Sequence, residues 1–75
     1  MHYTIVLDHL KESPFVPFEV VTNVGTRHKV PHPEFATATT GALYIFKPGK
    51  DGLMDPVKVS YDNISELAPL PEEAA

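Results

Sequence analysis

The chain has 75 residues, a net charge of -4 and no cysteine. A domain this short buries only about 60% of the surface its unfolded chain exposes; without Cys it has neither disulfides nor thiolate zinc sites, which leaves association as the usual remaining staple for a small core. The acidity gives it no bulk electrostatic reason to seek a phosphate backbone.

A hydrophobic fraction of 43% beside a charged fraction of 21% is a globular balance. No stretch approaches a membrane span, and Ile5-Val6-Leu7 is too short for the apolar region of a signal peptide. A cytoplasmic location and no membrane partner are therefore expected.

In chain order, Tyr3, Val6, Leu7 and Leu10 recur at helical spacing and predict a short helix over Tyr3 to Glu12. Thr4 or an earlier residue caps it, and Ser13-Pro14 ends it. Thr4, Ile5 and Val6 are also β-formers, so a strand over Tyr3 to Leu7 competes. Pro14 and Pro17 hold the next residues extended. From Phe18 the pattern alternates, with Phe18, Val20, Thr22 and Val24 on one face and Glu19, Val21 and Asn23 on the other. Val24-Gly25-Thr26 reads as a hairpin turn, and Arg27 to Val30 as the return strand with one face in water. Pro31 to Phe35 breaks the ladder, and Phe35 is expected to plug the core.

Ala36 to Thr40 is small and β-tolerant, and Gly41 marks a turn. Ala42 to Lys47 is the strongest strand. Leu43 and Ile45 face one way, Tyr44 and Phe46 the other, so both faces are apolar. Leu43 and Ile45 are expected in the core with Phe18, Val20, Phe35, Val57 and Val59. Pro48 to Gly52 reads as a loop closed by Asp55-Pro56. Val57, Val59 and Tyr61 alternate with Lys58 and Ser60 as a one-sided strand. Asp62-Asn63 turns the chain, and Ile64 and Leu67 form a last short element. Residues 68–75 carry little to bury and read as a disordered tail after a single domain over 1–67. The expected fold is mainly β with a short N-terminal helix: a small, bent antiparallel sheet of about five strands in SH3- or Sm-like barrel style.

Few residues suggest chemistry. His28, His32 and Glu34 are zinc- or nickel-type ligands. Pro31 and Pro33 deny His32 a helical setting, and further ligands would have to come from His2 or His9 at the other end of the chain. The histidines therefore read as polar turn and edge residues, with no metal and no cofactor expected. Ser13, Ser60 and Ser65 lie outside any strained Gly-flanked turn, and no nucleophile, base and orienting group can be nominated together. The chain is expected not to be an enzyme. Gly49-Lys50-Asp51-Gly52 is a turn, since a phosphate loop needs a longer Gly-rich run and a following helix.

Two functional expectations follow. In the first, the chain is a non-catalytic protein-interaction module that self-associates as a homo-oligomer through Tyr44 and Phe46. A chain this small cannot easily cover both faces of their strand. In the second, it binds RNA as an Sm-like module through Arg27, Lys29, Tyr44 and Lys47, with base stacking on the aromatics. The second expectation opposes the net charge and requires those cations to cluster on one face.

The doubled Pro14-Phe15-Val16-Pro17-Phe18 and the Pro31-His32-Pro33-Glu34-Phe35 segment carry a resemblance. With the turn at Gly25 and Val59-Ser60-Tyr61-Asp62-Asn63-Ile64-Ser65-Glu66-Leu67, the chain resembles a family of small uncharacterised bacterial proteins over about residues 4 to 67. Members typically carry Asp-Gly where this chain has Val24-Gly25. The resemblance implies a fold unit and no activity. The order of elements is also similar to the Sm-like fold, whose bacterial RNA chaperone has a Lys-His pair before its last strand. Asp62-Asn63 stands in that place, so the likeness implies architecture and not the RNA contact.

Overall fold

The computed structural model describes residues 1–48 and 54–70. Its first element, α1 (Tyr3–Lys11), follows the apolar stripe at three- and four-residue spacing. His2 caps it, its Nδ1 accepting from the Thr4 backbone N–H at 3.3 Å. Val6 is fully buried, and Tyr3 and Leu10 pack against the same core. No helix among the described residues is long and apolar enough to cross a membrane.

The strands are β1 (Phe18–Thr22), β2 (Arg27–Val30), β3 (Ala36–Ala38), β4 (Leu43–Pro48), β5 (Met54–Val59) and β6 (Ile64–Pro69). They form two three-stranded antiparallel sheets, ordered β2-β1-β6 and β3-β4-β5. The single bent sheet of about five strands expected from the sequence is thus two sheets, with a break at Pro31–Phe35 that Pro33 and its neighbours turn into one turn of 3-10 helix.

Gly25 closes the first hairpin as expected. Its N–H donates to the Thr22 carbonyl at 3.0 Å and the Thr22 N–H to that of Thr26 at 2.9 Å. Its φ of 89° lies where a side chain would be strained, which is why glycine stands there. Val24, which the sequence places both at the end of the Phe18 face and in the turn, lies in the turn and is 82% exposed.

The core follows the alternation except at Val21, which stands on the other face of β1 and is buried too. Phe18, Val20, Leu43, Ile45 and Val59 are buried with Val6, Val30, Ala36, Tyr61 and Ile64. Phe35 and Val57 are half-buried against that cluster. Tyr61 leaves the strand predicted for it and sits in a second 3-10 turn, Tyr61–Asn63. Its hydroxyl reaches the carbonyls of Thr39 and Ala42. The N-terminal ammonium in turn donates to the Tyr61 carbonyl at 3.0 Å.

Two further expectations need correction. Asp55 and Pro56 belong to β5 rather than a loop; β5 is an edge strand, where a proline costs no ladder bond. The tail does not begin at Ala68: Ala68 pairs with Glu19 and Pro69 with Phe18, extending β6. Leu70 is buried, and its N–H donates to the Pro17 carbonyl at 3.1 Å. The cause is long-range pairing with β1, which local composition does not encode. The remainder of the expected tail, and the turn Gly49-Lys50-Asp51-Gly52, lie outside the described residues.

Candidate binding groove

Strand alternation places the first two functional side chains. In β2, His28 and Val30 turn inward and are buried, while Arg27 and Lys29 turn outward and are exposed. Lys29 stands opposite Glu19 of β1, and the Arg27 Nη1 donates to Glu19 Oε1 at 3.4 Å. This is the one ion pair among the described residues, and a pair this exposed contributes at most about 1 kcal/mol.

The prolines place the rest. After Val30 the chain leaves the ladder, and the 3-10 turn delivers Phe35 back to the core, with the His32 ring edge-on to it at 5.7 Å. β3 pairs with β4 only as far as Ala36 opposite Ile45. Phe46 and Lys47 therefore extend beyond β3 with a partner on the β5 side alone.

Between β2 and this far half of β4 runs a groove of about 330 Å³ lined by Arg27, Lys29, Pro31, Phe35, Phe46 and Lys47. Three cations proposed from the sequence as nucleic-acid contacts, Arg27, Lys29 and Lys47, thus converge on one feature. Phe46 joins them as a wall. Tyr44 does not line it; it stands between Thr37 and Lys58 in the β3-β4-β5 register.

The helix does not cover Tyr44 and Phe46. α1 packs with β3 and adds Val6 to the cluster of Leu43 and Ile45, on the opposite face of β4. Tyr44 and Phe46 are nevertheless half-buried within the single chain.

His28 is the residue whose setting the sequence misjudged. It is 7% exposed rather than a polar edge residue, and its Nδ1 has no hydrogen-bond partner. Burial pushes its pKa below the usual 6.5, and the nearby Lys47 charge pushes the same way. His32 and Glu34 are exposed in the turn. Among the described residues no group of three His, Asp or Glu side chains is placed to hold a metal.

The walls missed by sequence reading are Pro31 and Phe35. A usable signal was present: a proline-broken segment following directly on an alternating cationic strand leaves that strand's outer edge without a neighbour. A second, smaller recess of about 130 Å³ lies between the end of α1 and β6, lined by residues including His9, Val16, Phe18 and Leu67. No family model matches this chain, and neither a curated protein nor a solved structure does.

Proposed function

We propose that the chain is a non-catalytic protein-interaction module of SH3- or Sm-like style, and that the groove between β2 and β4 is its binding face. One observation carries this reading. Three of the six Lys and Arg of a chain with net charge -4 line a single groove walled by two phenylalanines. Cations gathered against the bulk charge favour an anionic partner, and aromatic walls favour one with apolar side chains.

The same cations favour a second reading, an RNA-binding module of Sm-like type. Against it stands the net charge. Self-association through Tyr44 and Phe46 is the remaining partner choice within the first reading.

Amide chemical-shift mapping separates them. An acidic peptide alternating Glu and Val should perturb Arg27, Lys29 and Phe46, and oligouridylate should not. Oligouridylate perturbing those residues with a steep salt dependence would replace the first reading by the second. Light scattering reports self-association, and a mass that falls on Phe46→Ser would identify the partner as a second copy.

A further inference from the structure

The groove has the character of an empty strand position. In an antiparallel ladder hydrogen-bonded and non-hydrogen-bonded pairs alternate. Thr22 and Thr26 form a bonded pair, and the register continues through Val20–His28 and Phe18–Val30. Arg27 and Lys29 fall between these pairs, so their N–H and C=O groups point away from β1. β2 is the outer strand of its sheet, and no backbone group among the described residues meets them there.

The other wall obeys the same rule. Thr39 and Ala42 form a bonded pair, and the register continues through Thr37–Tyr44. The next β4 residue in that phase is Phe46, whose N–H and C=O point toward the β3 side, where the 3-10 turn ending at Phe35 meets β4. The unpaired outer edge of β2 thus borders this groove. Pro31 and Pro33 have no N–H to give and divert the chain, so it does not close the gap itself.

The side chains specify what fits. A strand laid beside β2 sends alternate residues outward, next to Arg27 and Lys29, and inward, toward Val30 and Phe35. We infer that this groove binds an extended acidic peptide of a partner protein as an added β-strand along β2, with carboxylates beside Arg27 and Lys29 and apolar residues turned inward. Main-chain hydrogen bonds supply affinity in this mode, and alternate side chains supply selection. The inference rests on the reading of the chain as a protein-interaction module and adds the partner's chemistry and geometry.

The probe is an acetylated, amidated hexapeptide alternating Glu and Val, titrated into the full chain at neutral pH. Binding should shift the amides of Arg27, Lys29 and Phe46 and slow hydrogen exchange at Arg27 and Lys29. Two further versions carry N-methyl groups on the Val amides or on the Glu amides. Added-strand pairing requires that at least one pattern abolishes binding, because residues of one parity face β2. Lys29→Glu, an exposed change checked for an unaltered melting temperature, should weaken binding by about tenfold, the size expected for losing a charge contact. A hexapeptide alternating Lys and Val should not bind. If the acidic peptide binds at the groove and both N-methylated versions bind equally well, the added-strand inference is wrong while the interaction module stands. If the acidic peptide does not bind and oligouridylate does, both are wrong. Protection appearing at β5 or β6 instead of β2 also overturns the inference.

Discussion

The two flanks of β1's sheet behave differently. On one, β6 returns from the far end of the chain and pairs with β1 from Thr22 to Phe18, and Leu70 is tied to Pro17 beyond it. On the other, β2 pairs inward with β1; both β2 and β6 are outer strands, but the outer edge of β2 borders the cationic groove. β2 alternates in burial, whereas β6 does not, and its pairing with β1 shifts register between Val21 and Thr22. The difference lies in where proline falls. Pro69 ends β6 after its pairing is complete, while Pro31 and Pro33 follow β2 directly and stop it from continuing into β3. An open edge is usually a hazard that folded proteins blunt with charge. Arg27 and Lys29 are suited both to that role and to choosing an acidic strand.

The comparison can be broken by removing what each flank depends on. The largest effect is expected at the floor they share. Ile45 is fully buried, so Ile45→Ala should cost about 2–5 kcal/mol in denaturant unfolding, the usual range for a truncated buried aliphatic residue. A neutral result would reverse the inside and outside of β4 and with them the position of Phe46 on the groove.

The β6 flank is tested next. Tyr61, just before β6, anchors its hydroxyl on the carbonyls of Thr39 and Ala42. Tyr61→Phe keeps the ring and leaves those carbonyls without that donor, and should cost about 1–2 kcal/mol by the same measurement. An unchanged midpoint would mean that water replaces the hydroxyl without loss.

The β2 flank should show a smaller effect that depends on pH. Burial and Lys47 hold the His28 pKa below 6.5 in the folded state. As pH falls below 6.5 the unfolded chain takes up this proton first, so stability declines until pH passes the folded pKa. Above 6.5 the contribution is constant. Melting temperatures at pH 7.5 and 5.5 should therefore differ more for the wild type than for His28→Gln. Equal differences would show that His28 is free to ionise in the fold.

The smallest effect belongs to a position outside both flanks. Val24 stands 82% exposed in the hairpin turn that the sequence places there. Val24→Ser should change stability by less than about 0.5 kcal/mol, as for surface sites without buried contacts. A loss of core-like size would place Val24 in a contact between copies.

What could be read from the sequence is the part of the structure set by near neighbours. The stripe of Tyr3, Val6 and Leu10, the turn at Gly25, and the opposed faces of Leu43 and Ile45 against Tyr44 and Phe46 all follow from periodicity and turn chemistry. These act over a few residues, and the structure keeps them. The cationic members of the groove are legible as residue types, since Arg27, Lys29 and Lys47 lie on segments that the sequence marks as strands.

Only the tertiary structure decided that they meet, because Lys47 reaches β2 through the folding of one sheet over the other. It likewise decided that Ala68 and Pro69 extend a strand, since β1 supplies the partner from about fifty residues away, a separation that no local propensity encodes. It buried His28, whose neighbours in sequence are both exposed, because alternation in β2 is phased by Val20 across the ladder and not by His28 itself. And it left β2 without an outer partner, because two prolines whose local effect is a simple turn also set where a sheet fails to close.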